Sequence, residues 1–322
     1  MTAPVRLGVL GCADIARRRM LPAAVRSPDV EVVAVAGRDP ARADETARAH
    51  GCRAYHGYPE LLADPDVEAV YVPLPAALHE RWNEAALAAG KHVLAEKPVT
   101  TAPERTAALY ALARRRRLVL WENVMFVHHP QHEAVRALVR DGAIGDLRSL
   151  RAEFTVPRRP AGDIRLRPDL GGGCLWDTGV YPVRAALHFL GPHLEVVGAW
   201  LSRGPGDAVD TGGAALLRDA GGRTAQLAFG LDHGYRSVYE LCGSRGRVVL
   251  DHAFTPAADH RPVVRLETPD GRREITLDAH DQVEATLAAF ARGVRHGHAD
   301  PGPVVRQAEL LHEVNTRARR GA

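Results

Sequence analysis

From residue 5 to residue 122 the chain repeats one theme: a short β-branched or apolar run, a turn, then an amphipathic stretch. The pattern predicts strand Val5–Gly11, helix Ile15–Arg26, strand Val30–Gly37, helix Ala41–His50, strand Ala69–Pro73, helix Ala77–Ala89, strand His92–Ala95, helix Pro103–Arg116 and strand Leu118–Trp121. Near-continuous apolar strands alternating with helices indicate a parallel sheet covered on both faces. Residues 1–122 are therefore expected to form a doubly wound α/β domain.

After about residue 123 strand-like runs follow one another with few helices between them. The predicted strands are Leu147–Val156, Glu195–Ser202, Gly213–Arg218, Thr224–Leu231, Val238–Leu241, Arg247–Leu250, Val263–Glu267 and Glu274–Leu277. Turn signals such as Asp219–Gly222 and Pro269-Asp270-Gly271 favour antiparallel hairpins. The expected second domain, residues 123–322, is α+β with a mainly antiparallel open sheet. Its predicted helices are Pro130–Asp141, Asp177–Leu190, Gln282–Arg295 and Val304–Arg319. Two domains suit 322 residues at roughly 100 to 200 residues each.

A net charge of +3 and 5% aromatic residues argue against a nucleic-acid partner. No apolar run reaches the roughly 18 residues of a membrane helix, so no membrane partner is expected. Met1–Gly11 leads into Asp14 and Arg17-Arg18-Arg19 without a signal-peptide pattern, and a cytoplasmic protein is expected. Cys12, Cys52, Cys174 and Cys242 stand singly, which disfavours a disulfide framework or structural zinc. His128 and His132 have the i, i+4 spacing of a helical metal pair, but Pro130 between them favours a helix start. Two histidines are an incomplete ligand set, so no metal is expected.

Directly after the first strand stands Gly11-Cys12-Ala13-Asp14-Ile15-Ala16, a G-x-A-x-x-A form of the dinucleotide turn. The glycine allows the tight turn, the small second residue admits a pyrophosphate, and the small third packs helix on strand. The helix N-terminus beyond offers free N–H groups to phosphate. A bare structural turn is the alternative; the position at the head of a βαβ series favours a cofactor. The second strand ends in Gly37-Arg38-Asp39-Pro40, where an NAD site usually places an acid on the ribose 2′-hydroxyl. Asp39 before Pro40 reads as a helix N-cap. Arg38 is then available to a 2′-phosphate, with a solvated loop arginine as the other reading.

The fifth strand ends in Glu96-Lys97-Pro98, at the carboxyl edge where ligands of such sheets bind. Of 42 basic residues only Lys91 and Lys97 are lysine. A compact cation with a tunable pKa at that edge suits chemistry an arginine cannot do, although a solvated lysine fits composition equally well.

The succession Gly11 to Ala16, Val72-Pro73-Leu74-Pro75 with His79, and Gly90-Lys91-His92-Val93 with Glu96-Lys97-Pro98 resembles the Gfo/Idh/MocA oxidoreductases. Glu122-Asn123-Val124-Met125-Phe126, His129-Pro130-Gln131, and Gly171-Gly172-Gly173 through Asp177-Thr178-Gly179-Val180-Tyr181 continue the resemblance along nearly the whole chain. It implies a Rossmann domain and a second domain whose open sheet carries the substrate site and often the interface of a homodimer or homotetramer. Many members have His where Tyr181 stands. Tyr181 with its neighbours, the opening Gly11-Cys12-Ala13 and Arg18-Arg19-Met20-Leu21-Pro22 are similar to the NDP-hexose 3-ketoreductases of deoxysugar biosynthesis. That similarity implies NADP(H) as cofactor and a nucleotide-linked keto-deoxysugar, in which dTDP is the expected nucleotide, reduced at C-3.

Hydride addition to a ketone leaves charge on oxygen, which calls for a proton donor and a nearby cation. The resemblance assigns these roles to Tyr181 and Lys97. Asp177, four residues before Tyr181, is expected one helical turn away on the same face, orienting a substrate hydroxyl or Lys97. Read from residues alone, Tyr181 also fits a core aromatic and Asp177 a helix N-cap. Glu96 is expected to pair locally and Pro98 to set its loop through a cis bond. Pro73, Leu74 and His79 are expected in a cofactor loop near adenine or ribose, with helix capping as the other reading of His79. Among Arg158, Arg159, Arg165 and Arg167, diphosphate contacts and a solvated loop are equally compatible. Competing functions are an aldose or cyclitol dehydrogenase of the same family and a non-catalytic ligand sensor on the same fold; retention of Lys97 and Tyr181 argues against the sensor.

Overall fold

The computed structural model describes residues 3–321. They form two compact units, one of residues up to 124 with 283–304, the other of 125–282 with the segment from 305 onward.

The first unit is built on six parallel strands: β1 (Val5–Leu10), β2 (Val30–Ala36), β3 (Arg53–Tyr55), β4 (Ala69–Val72), β5 (His92–Ala95) and β6 (Leu120–Glu122). Their spatial order is β3-β2-β1-β4-β5-β6. The direction of winding reverses between β1 and β4, which opens a crevice at their carboxyl ends. Every residue of β4 and all but one of β1 are buried, as a sheet covered on both faces requires. Leu10, Val70, Val72, Val93 and Leu120 pack there against Leu61, Leu87 and Leu109 from the helices.

Local features depart from the expected pattern, helix Tyr58–Ala63 among them. β3 was not foreseen, because three residues with no buried position carry too little periodicity. The helix after β1 begins as a π-helical turn, Ala16–Met20, and continues as α-helix Leu21–Arg26. Asp39 caps the next helix as expected, accepting from Arg42 N at 3.3 Å with Pro40 in the first turn. Helix Gln282–His296 contributes most of its length to this unit. Arg295 pairs with Glu68 at 2.5 Å, and Gly293 lies so close to Trp121 that a Cβ would stand 3.0 Å from the indole.

The second unit holds a nine-stranded sheet: β7 (Leu147–Thr155), β8 (Leu194–Ser202), β9 (Gly212–Asp219), β10 (Thr224–Gly230), β11 (Arg236–Gly243), β12 (Arg247–Asp251), β13 (Val263–Thr268), β14 (Gly271–Thr276) and β15 (Arg319–Gly321). The order is β14-β13-β12-β11-β7-β10-β9-β8-β15, antiparallel except for β7 beside β10 and β8 beside β15. One face is covered by helix Val180–Leu190, most of whose residues are buried. The opposite face is open, with Val197, Trp200 and Leu216 at 50%, 47% and 38% exposure.

The single helix expected over Asp177–Leu190 is broken. A short helix, Cys174–Asp177, stops at Thr178-Gly179 before helix Val180–Leu190 begins. Pro182 has no N–H for the Thr178 carbonyl, and its ring excludes continuous helix through that carbonyl. Among the described residues no helix is long and apolar enough to cross a membrane.

Candidate active site

In the first unit the carboxyl ends of β1, β2 and β4 converge on the dinucleotide turn. Gly11 has φ 122°, a backbone conformation side chains rarely adopt. A Cβ there would lie 3.0 Å from Leu74 Cδ2 and 3.7 Å from the Tyr58 hydroxyl, so the turn leaves no room for one. Gly37 closes the other side, where a Cβ would stand 3.4 Å from Cys12 Sγ. Gly11, Cys12, Pro73 and Leu74 are thus brought together, with Ala13 and Ile15 half-buried beside them. Asp14 is exposed and bonded to Arg17 at 2.9 Å, with Arg42 at 3.5 Å; the Arg17 contact holds its carboxyl below the ordinary range. Arg38 is exposed and hydrogen-bonds Tyr58, whose phenol burial pushes up in pKa while the guanidinium pulls it down. Tyr58 was not singled out from sequence; it opens helix Tyr58–Ala63, in a stretch to which the sequence pattern assigned no element.

The next two strand ends hold Glu96, Lys97 and Pro98. Glu96 Oε1 accepts from the buried Tyr71 hydroxyl and from Asn123 Nδ2, each at 2.6 Å, while Oε2 accepts from Lys97 N at 3.3 Å. Glu96 does pair locally, and the Lys97–Pro98 bond is cis. Lys97 is half-buried. Val99 N donates to Glu122 Oε1 at 3.2 Å, fixing the segment beyond. His79 is 1% exposed and its two ring nitrogens lie 2.7 Å and 2.6 Å from the carbonyl oxygens of Pro98 and Leu74. It lies between the segments that follow β4 and β5. Capping is excluded by chemistry, since a helix N-terminus needs acceptors and both ring nitrogens face carbonyls.

In the second unit Tyr181 is half-buried in an aromatic nest, its ring 4.6 Å from Phe154, 5.8 Å from Phe254 and 6.2 Å from Phe126. The helix expected to carry both Asp177 and Tyr181 is interrupted at Thr178-Gly179, and both of those residues keep right-handed helical dihedrals. Asp177 ends the short helix and accepts from Arg165 Nε at 2.9 Å; Arg165 also reaches Asp163 at 3.2 Å. These carboxylates raise the Arg165 pKa against the opposing effect of burial. The glycine run is dictated by crowding: a Cβ at Gly172 would lie 2.5 Å from the Arg165 carbonyl, and one at Gly173 2.7 Å from Asp210 Oδ1. Arg158 pairs with Asp207 and Asp232, and Arg167 with Asp169. Arg159 alone of the four has no ion pair among the described residues, and it is exposed.

The histidines near residue 130 are packed polar residues. His129 Nδ1 accepts from Gln131 N at 3.1 Å, and His132 Nδ1 lies 3.0 Å from the Tyr239 hydroxyl. Burial pushes the His129 and His188 pKa values down to about 4.

Residues 5–124 match the oxidoreductase family with an NAD-binding Rossmann fold, and residues 132–249 match the GFO/IDH/MocA C-terminal domain. The chain belongs to the Gfo/Idh/MocA oxidoreductases. Within that family it is 52% identical to a dTDP-3,4-didehydro-2,6-dideoxy-alpha-D-glucose 3-reductase of Streptomyces violaceoruber, over 98% of this chain and 95% of that one. A 3-ketoreductase from Actinomadura kijaniata, solved with NADP and TDP-benzene, is 49% identical and superposes with a TM-score of 0.96 over 98% of both chains. It has also been solved with a tyrosine replaced by phenylalanine and with a lysine replaced by alanine or glutamate. D-xylose 1-dehydrogenase (NADP(+)) 2 of Haloferax volcanii is 36% identical over 90% of this chain and 89% of its own.

Proposed function

We propose that this chain reduces the C-3 ketone of a dTDP-linked keto-deoxysugar with NADPH. The observation that carries the reading is the retention of Lys97 and Tyr181 in a chain about half identical to 3-ketoreductases over nearly its full length. The lysine and tyrosine replaced in the Actinomadura enzyme are separated by the same number of positions as Lys97 and Tyr181. When bound, NADPH supplies a hydride to the carbonyl carbon.

The first unit fits a dinucleotide: Gly11, at φ 122°, makes the tight turn between β1 and the following helix that a pyrophosphate site requires. Gly11, Cys12, Ala13, Asp14 and Ile15 would hold the diphosphate, Arg38 the 2′-phosphate, and Pro73, Leu74, Glu96, Lys97 and Pro98 the walls toward the nicotinamide. Tyr181 donates a proton to the ketone oxygen as charge develops there, and the Lys97 ammonium stabilises that charge and the resulting phenolate. Asp177 acts by holding Arg165 and its loop.

Two further elements belong to the proposal. The open sheet face around Trp200 and Leu216 is covered by a second copy of the chain, in a homodimer or homotetramer. All four cysteines are free thiols, which suits a cytoplasmic enzyme.

Incubation of the dTDP-3,4-diketo-2,6-dideoxyglucose with NADPH deuterated at C-4 should give a product carrying one deuterium at sugar C-3. Deuterium at C-4, or none, would overturn the assignment, and oxidation of free xylose with NADP would move the chain to the aldose dehydrogenases.

A further inference from the structure

His79 lies in the first turn of helix Ala76–Ala88, and its ring is held between segments that leave two different strands. Nε2 faces the carbonyl of Leu74, in the loop after β4; Nδ1 faces the carbonyl of Pro98, in the loop after β5. Leu74 is also the residue whose side chain stands against Gly11 at the dinucleotide turn. Pro98 directly follows Lys97. One buried ring therefore joins the segment that shapes the cofactor turn to the segment that carries the lysine. A neutral imidazole donates from one nitrogen and an imidazolium from both. In either state, removing the ring leaves a buried carbonyl without a donor. On its other side Lys97 follows Glu96, which Tyr71 and Asn123 already fix. On the Pro98 side His79 adds a restraint nearer to Lys97 than the bonds that Val99 makes to Glu122 and Asn83.

We propose that His79 is a positioning residue that holds Lys97 in register with the dinucleotide turn, so that cofactor and ammonium are placed together. This rests on the catalytic reading of Lys97 given above. Because His79 acts through Lys97, its removal should matter to the chemical step only while the lysine is present.

The test is a mutant cycle read by kcat, KM for NADPH and thermal unfolding. His79→Phe keeps a ring of similar size without nitrogens. It should lower kcat by about 10- to 100-fold, the scale of a displaced catalytic group, and raise KM for NADPH. His79→Gln, whose amide nitrogen carries two N–H donors, should recover part of kcat. In a Lys97→Ala background His79→Phe should change kcat by less than about twofold, as coupled residues do. Should His79→Phe fail to fold, His79→Asn, whose shorter amide cannot span both carbonyls, takes its place with the same expectations. Wild-type kcat in a folded His79→Phe enzyme would overturn the proposal, as would an equal loss in both backgrounds. A wild-type kcat in the Lys97→Ala single variant would overturn the reading of Lys97 and the proposal with it, and it is seen with His79 intact.

Discussion

Asp177 accepts a 2.9 Å hydrogen bond from Arg165, which ties the end of the short helix before the Thr178-Gly179 break to the loop preceding the glycine run. The carboxylate is thereby engaged with a cation of its own unit. Its expected contribution is to the shape of the 163–173 loop. Asp177→Ala and Arg165→Ala should each raise KM for the nucleotide sugar by roughly 10-fold, the scale of one charge-assisted hydrogen bond. The double variant should be little worse than either single one. A kcat loss in Asp177→Ala as deep as that of Tyr181→Phe would instead place its carboxylate at the reacting atoms.

Cofactor preference should rest on Arg38. Its guanidinium is exposed at the end of β2, and the nearby carboxylate, Asp39, caps its own helix. Arg38→Ala should weaken NADPH binding by on the order of 1.5 to 3 kcal/mol, with solvent exposure favouring the lower end, and leave NADH nearly unchanged. Equal losses for both cofactors, measured by fluorescence titration, would show that Arg38 does not read the 2′-phosphate.

These two sites differ in how far the sequence disclosed them. The Gly11 turn and the Asp39 cap were legible because each is a local device written in consecutive residues. The loop restraints were not. Glu96 could be expected to pair locally, but Tyr71 and Asn123 come from other strand ends, and only the folded sheet aligns them. The interruption at Thr178-Gly179 was not expected, although Pro182, which has no N–H for the Thr178 carbonyl, stands four residues downstream of it in plain sequence. Helix Gln282–His296 shows its apolar stripe in sequence, but nothing in that stripe says it packs beside β6.

Acid should destabilise the fold through its buried histidines. His129 and His188 titrate near 4 in the folded chain against about 6.5 when unfolded, because burial disfavours the charged ring. Between those values the unfolded chain binds more protons, so the stabilisation is complete above about pH 6.5 and is lost as pH falls toward 4. Each ring should contribute a slope of roughly 1 kcal/mol per pH unit in that window. Urea unfolding at pH 7.5, 6, 5 and 4.5 would measure it. His188→Leu should flatten the slope, since the buried His188 Nε2 has no hydrogen bond to lose. An unchanged slope would assign the acid sensitivity to other groups.

The proton donor can be tested with little disturbance to the fold. The Tyr181 ring is packed by Phe126, Phe154 and Phe254, so Tyr181→Phe keeps those contacts and deletes one oxygen. It should lower kcat by roughly 10²- to 10⁴-fold, the range of general acid catalysis, with NADPH affinity nearly intact because the lost hydroxyl serves the reacting oxygen and not the cofactor. Lys97→Ala should cost a similar factor. The double variant should lose far less than the product of the two, since a phenol without its cation and a cation without its phenol each serve the same oxygen poorly. A substantial residual rate in Tyr181→Phe, with a pH dependence shifted from wild type, would mean that water or Lys97 can supply the proton. Wild-type kcat in both single variants would remove the donor and the cation together, and the reduction would then need a proton source elsewhere in the chain.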